Sequence, residues 1–163
     1  MARRTGAPLP PQEEQRRLAA GESFAWRLSL NATRQKLGAR YDALAFTETG
    51  EAFAGEHMAR PDLMGDVVLA RKDLGVAYHL AAVVDDAAQS ITHIIRGEDL
   101  FASTHIHRLL QALLDLPTPI YRHHKLILGP DGKRYAKRDQ SVTLRALRAA
   151  GKSPEDVRET IGF

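Results

Sequence analysis

Two stretches of this 163-residue sequence concentrate side chains able to do chemistry. The first is Arg96, which closes the β-branched run Ile91-Thr92-His93-Ile94-Ile95 and precedes Gly97-Glu98-Asp99. Such a run reads as a strand apolar on both faces, as in a buried parallel sheet. An arginine at the carboxyl end of that strand lies where open α/β sheets hold their ligands. Its guanidinium can grip a carboxylate through two parallel hydrogen bonds. The same residues also allow a plain ion pair with Glu98 or Asp99, and the pattern alone weighs the two equally. The second stretch is Gly129-Pro130-Asp131-Gly132 followed by Lys133, Arg134, Tyr135, Ala136, Lys137 and Arg138. A glycine-bounded turn presenting four cations suits closure over phosphates. By composition alone the plainer reading, a basic hairpin tip facing water or an RNA backbone, is the stronger.

Other chemistries find less support. The chain has no cysteine, so disulfides, Cys-ligated zinc and a thiol nucleophile are excluded and a cytosolic setting fits. His105 and His107 stand two apart on an expected helix and so face away from each other. His123-His124, read as neighbours in a turn, make no better metal site. Asp85-Asp86 reads as a surface pair or cap ending a helix rather than a Mg²⁺ site. There is no phosphate-binding Gly-Lys-Ser/Thr pattern and no Gly-x-Ser-x-Gly elbow. No apolar run approaches the roughly 20 residues of a membrane span. The net charge of +3 hides segregation, with basic ends and an acidic middle over residues 42–99. A polyanion is a natural partner for the basic ends, although dilute charge blocks are also ordinary solvated surface.

These residues need elements to hold them. Pro11 opens a polar helix to Ala20 that Gly21 stops. Phe24, Trp26, Leu28 and Leu30 alternate with smaller or polar residues as a half-buried strand, and Tyr41–Phe46 forms another. Residues 47–65 read as loop. Asp66–Arg71 is a strand followed by the hairpin turn Lys72-Asp73-Leu74-Gly75. Ala77–Val84 is a short helix ending at Asp85-Asp86. The clearest helix is capped by Ser103 or Thr104 and carries the stripe Ile106, Leu109, Leu110, Leu113 and Leu114, with Pro117 and Pro119 beyond it. Leu126-Ile127-Leu128 is a short strand. Ser141 or Thr143 starts a helix that Gly151 stops, and Ser153-Pro154-Glu155-Asp156 starts another. The order strand, loop, helix, strand over 91–128 predicts an α/β sheet with a parallel, right-handed crossover.

Several spaced motifs occur together in register. They are Gly65-Asp66-x-Val68-Leu69-x-Arg71, Tyr78-x-x-Ala81-x-Val83-Val84-Asp85-Asp86, Ile91-Thr92-His93-x-Ile95-Arg96-Gly97-Glu98-Asp99-Leu100, Ser103-Thr104 and Leu126-Ile127-Leu128-Gly129-Pro130-Asp131-Gly132. In this combination the chain resembles the catalytic core of the class I glutamyl-tRNA synthetases, closely over residues 65–140 and loosely on both sides. Within that family it is most similar to short paralogues without an anticodon-binding domain, whose acceptor is the queuosine base of tRNA(Asp). The resemblance implies an α/β fold: the second half of a Rossmann-type parallel sheet with an inserted α+β segment and C-terminal helices. It divides the chain into an inserted segment and lead at 1–64, the nucleotide-binding half at 65–128, and a phosphate loop with helices at 129–163.

The resemblance also implies roles. Tyr78 and Arg96 match positions that bind the substrate glutamate. Arg134, Tyr135, Ala136, Lys137 and Arg138 fall where the family has its Lys-Met/Leu-Ser-Lys-Ser/Arg loop, and Lys137 matches the lysine on the ATP phosphates. Arg134, Tyr135 and Ala136 depart from that pattern and Lys137 keeps it. The implied partners are L-glutamate, ATP with Mg²⁺, and tRNA, with no zinc and no membrane. The family's His-x-Gly-His signature has no counterpart here, so the chain is expected to begin after that half and to lack the adenosine pocket. Two alternatives stand beside this reading: a fragment of an ordinary glutamyl-tRNA synthetase, and a non-catalytic RNA-binding remnant.

Overall fold

A computed structural model describes residues 9–129, 132 and 143–162. The chain divides into two compact units, Met1–His124 and Lys125–Phe163. In the second unit, helix formation follows capping chemistry. Thr143 Oγ1 accepts from the Ala146 amide at 3.1 Å and starts a helix over Leu144–Ala149. Ser153 and Asp156 exchange hydrogen bonds as a capping box and start a helix over Pro154–Thr160. Both lie where the cap residues predict them. The strand expected at Leu126–Leu128 reduces to a single bridge at Leu128.

The first unit holds two sheets. The smaller is antiparallel and pairs β1 (Ala25–Arg27) with β4 (Val68–Arg71), and β4 with β5 (Gly75–Val76) across the expected hairpin. The half-buried strand predicted through Leu30 is shorter than its alternation implies. Trp26 is 45% exposed, Leu28 just beyond β1 is buried, and Ser29 caps a helix (α2, Leu30–Leu37) where the strand was expected to continue. Asp66 reinforces that switch, since its carboxylate accepts from the Leu30 amide at 2.9 Å.

The larger sheet has the order β3 (Gly55–Met58), β2 (Ala45–Glu48), β7 (Ile120–His124), β6 (His93–Gly97). β2 and β3 are antiparallel, while β2, β7 and β6 run parallel. Three sequence-based expectations are corrected here. Tyr41 belongs to a short helix (α3, Ala39–Asp42) and packs into the core, so the strand starts only at Ala45. The supposed loop at 47–65 contains β3, which owes its conformation to pairing with β2 rather than to its own Gly- and Glu-rich composition. The run at 91–96 is parallel as expected but not buried on both faces. β6 has β7 as its one pairing partner among the described residues, and Ile95 is 67% exposed.

α4 (Tyr78–Ala88) passes through Asp85-Asp86 instead of ending there, because Asp85 is solvated and Ala87 and Ala88 continue the helix. Ser90, at φ 56°, turns the chain instead. α5 (Phe101–Leu113) connects β6 to β7 as the crossover. It starts one turn earlier than expected, after a 3-10 turn at Glu98–Leu100, so Ser103 and Thr104 lie inside it and cap nothing. Its apolar stripe is the centre of the core, where Ile106, Leu109 and Leu110 meet Leu28, Leu37, Tyr41, Leu44, Val67 and Val83. Truncating Leu109, fully buried in this cluster, removes apolar contact and leaves a cavity. Leu109→Ala is expected to lower stability by about 2–5 kcal/mol, read as a lower urea midpoint with an unchanged slope. An unchanged midpoint would place the core elsewhere.

Candidate functional site

The three parallel strands bring one polar residue each to their carboxyl ends. Glu48 is the last residue of β2, His123 stands next to last in β7, and Arg96 next to last in β6, directly opposite His123 in register. Because the strand order is β2, β7, β6, the residues line up in that sequence across the sheet. Arg96 Nε donates to His123 Nε2 at 3.1 Å, and His123 Nδ1 meets Glu48 Oε2 at 2.5 Å. Glu48 Oε1 accepts from the backbone amides of His123 (2.9 Å) and Gly50 (2.6 Å). The Glu48 and His123 side chains have no solvent exposure.

Two helices complete the collar around Arg96. From α5, Thr104 Oγ1 accepts from Nη2 at 2.6 Å and His107 Nδ1 from Nη1 at 3.2 Å. From the first turn of α4, the Tyr78 hydroxyl lies 3.4 Å from Nη1. His107 Nε2 meets His79 Nδ1 at 3.1 Å, which ties the two helices together. The Tyr121 ring lies under the guanidinium with its centroid 5.4 Å away.

The proton positions follow from the chemistry of arginine, which has donors and no acceptor. Facing Arg96, His123 Nε2 and His107 Nδ1 must be unprotonated. His123 therefore donates from Nδ1 to Glu48, and His107 donates from Nε2 to His79. Every direct partner of Arg96 in this collar is a neutral acceptor, and one Nη2 hydrogen has no partner among the described residues. Among the described residues Arg96 is turned to these acceptors rather than to Glu98 or Asp99, the ion pair that the sequence allowed.

The electrostatics agree with these assignments. Burial, then Arg96 and then His79 hold the His107 imidazole down at about 3. Burial, and then Arg96, lower His79. Burial also lowers His123, and although Glu48 pulls the other way, Arg96 adds to the fall. Burial opposes ionisation of Glu48, but the hydrogen bonds from the His123 ring and from the His123 and Gly50 amides outweigh it, leaving the carboxyl below its usual value. The site is thus a cation on a neutral collar, with an ionised carboxylate one ring away. That arrangement suits an incoming carboxylate better than it suits proton transfer.

The sequence-derived pair Tyr78 and Arg96 is brought together. Lys137 and its neighbours Arg134, Tyr135, Ala136 and Arg138 lie outside the described residues. Sequence reasoning missed Glu48, His79, Thr104, His107 and His123. The signals were faint: Phe46 and Glu48, and Tyr121 and His123, share a strand face at period two, and Thr104 and His107 share a helix face. His123-His124 are not in a turn but end β7.

A family model for the tRNA synthetases class I (E and Q), catalytic domain, matches residues 12–162. The chain belongs to that family. The family is of ligase type, with ATP as a substrate, and its glutamyl branch is the one the relatives represent. The glutamyl-Q tRNA(Asp) synthetase of Rhodobacter capsulatus is 55% identical over 122 residues, covering 72% of this chain and 44% of that protein. That of Symbiobacterium thermophilum is 42% identical over 149 residues, covering 91% of this chain and 42% of that protein. The crystal structure of the glutamate-tRNA synthetase from Elizabethkingia anophelis superposes with a TM-score of 0.59 at 27% identity, over 80% of this chain and 24% of that one. The chain therefore spans less than half the length of these synthetases. The α/β class inferred from the motifs agrees with the mixed sheet and its parallel strands.

The buried imidazoles set the acid response of this synthetase-family unit. His107 has an ordinary value of 6.5 and about 3 in the folded chain, so between these values the unfolded chain binds a proton that the native one does not. Stability is fully present above 6.5 and is lost as the pH falls toward about 3, by up to about 1.4 kcal/mol per pH unit for one group. His79, His105 and His123 are displaced the same way and steepen the loss. Urea midpoints at about pH 7, 5.5 and 4.5 should fall in that order, and less steeply in His107→Gln. A midpoint that rises on acidification would refute neutral imidazoles.

Proposed function

We propose that this chain carries the amino-acid side of a glutamate-activating site. The observation that carries the reading is Arg96 itself: a guanidinium at the carboxyl end of a parallel strand, fixed by neutral acceptors, beside the Tyr78 hydroxyl. In this reading Arg96 and Tyr78 hold glutamate, Lys137 and the loop at 134–138 meet the ATP phosphates, and Mg²⁺ accompanies the nucleotide. An oxygen of the α-carboxylate attacks the α-phosphorus, the bond to the β-phosphate oxygen breaks, and pyrophosphate leaves. The carboxylate is already ionised at neutral pH, so the step needs no general base. Positioning and neutralisation of phosphate charge supply the acceleration. The resulting glutamyl-adenylate passes its acyl group to an RNA hydroxyl, which gives up its proton as the bond to the phosphate oxygen breaks and AMP leaves. The names of the relatives favour tRNA(Asp), with the queuosine base as acceptor. The basic stretch after residue 120 suits an RNA backbone.

Calorimetric titration of the chain with L-glutamate tests the amino-acid half. Loss of a charged hydrogen-bonding partner costs about 1.5–3 kcal/mol, so Arg96→Ala should weaken binding roughly tenfold to a hundredfold. Arg96→Lys should recover little of it, because an ammonium cannot reproduce the planar fork. Equal binding by wild type and Arg96→Ala would remove Arg96 from the site. Glutamate-dependent ATP–pyrophosphate exchange tests the phosphate half, in the chain or in a protein extended to the length of its relatives. Lys137→Ala should lower the exchange rate by about 10²–10³ with the glutamate affinity unchanged. Unchanged exchange would refute the role of Lys137.

A further inference from the structure

Arg96 must remain electrostatically available while packed among protein groups, and the way this is arranged assigns a role to two residues that touch no substrate. We propose that Glu48 and His123 form a buried positioning relay for Arg96, in which the His123 ring spaces a fixed carboxylate one imidazole away from the guanidinium. The proposal rests on the reading of Arg96 as the carboxylate-binding group.

A carboxylate bound directly to Arg96 would neutralise the charge that a ligand carboxylate needs. With no anion nearby, a partly buried guanidinium would be poorly compensated. The relay meets both demands. Glu48 adds a negative charge to that of Asp86, which also feels Arg96, and His123 keeps the Glu48 carboxylate off the guanidinium. Glu48 itself is fixed, since Oε1 takes the Gly50 and His123 amides and Oε2 takes His123 Nδ1. The turn after β2 is locked as well: a Cβ on Gly50 would fall on the His123 carbonyl oxygen. With the carboxylate fixed, the imidazole has one permitted tautomer, Nδ1–H. Its Nε2 lone pair then faces Arg96 Nε at 3.1 Å. Without the carboxylate the ring is free to take the Nε2–H tautomer, which sets a donor against a donor and releases one edge of the guanidinium. Thr104 and His107 hold the other edge, so the relay sets the angle at which the remaining Nη2 hydrogen is presented.

The test is ¹⁵N NMR of the His123 ring in the chain, paired with L-glutamate titration, in wild type and Glu48→Gln. The expected result is an Nδ1–H ring in wild type, a shift toward Nε2–H in Glu48→Gln, and about tenfold weaker glutamate binding. An unchanged tautomer overturns the relay, and so does a changed tautomer with unchanged affinity. A second pair keeps the test open if Glu48→Gln does not fold. His123→Gln retains an acceptor and a donor and should bind within about threefold of wild type, whereas His123→Leu should lose about tenfold. Equal binding by these two would reduce His123 to packing and overturn the proposal. If wild type binds no L-glutamate, it is the reading of Arg96 as a glutamate site that fails. The relay is then judged on hydrogen exchange at Arg96 Nε–H: faster exchange in Glu48→Gln supports it, and equal exchange overturns it.

Discussion

The first unit depends on holding one partly buried guanidinium fixed, with no anion bound directly to it among the described residues. Removing a charge from water costs several kcal/mol unless hydrogen bonds replace the lost hydration. Arg96 meets that cost with four neutral acceptors and an aromatic face. Those acceptors come from β7, α5 and α4, so each of these elements must sit at a set height relative to β6. The parallel pairing of β6 with β7 provides the first constraint, and the burial of α5 across the core provides the second. The polar and apolar sides of α5 therefore work together. Ile106, Leu109 and Leu110 seat the helix, and that seating carries Thr104 and His107 to the guanidinium.

The aromatic and imidazole rings between the sheet and α5 serve two purposes. They fill volume as apolar side chains would, and their nitrogens give directional bonds whose polarity is set by Arg96. Phe101 packs edge-on against His123, and Tyr121 lies parallel to it. A ring so confined has little freedom to rotate, which is why its tautomer rather than its orientation is the remaining variable.

Much of this was legible in sequence, but unevenly. Helix starts marked by Thr143 and Ser153 were readable because capping is local chemistry. The strand and helix of the crossover were readable because a β-branched run followed by a 3.6-period stripe has few other solutions, but its closing strand is Ile120–His124 and not the expected Leu126–Leu128. Arg96 and Tyr78 were found through the motifs that surround them. β3 was hidden because its residues have poor strand propensity and depend on β2 for their conformation. β7 was hidden because His123-His124 interrupt an otherwise ordinary strand signal. Thr104 imitated a cap, since Ser and Thr before an apolar stripe usually are one, while its hydroxyl was in fact engaged by an arginine eight residues earlier. Glu48 left the least trace of all. A glutamate is among the residues least expected in a core, and nothing local announces the two backbone amides and the ring that hold it there.

Gly50 gives this arrangement a steric lock. The β7 carbonyl occupies the place where any side chain would begin, so every replacement there fails at its first carbon, whatever its polarity or length. Glu48, two residues earlier, is bound to the same amide. A side chain at Gly50 cannot be accommodated by a change at Glu48, because the obstacle is the His123 main chain. The turn after β2 therefore tolerates no side chain at Gly50 without displacing the end of β7, and with it the ring that faces Arg96.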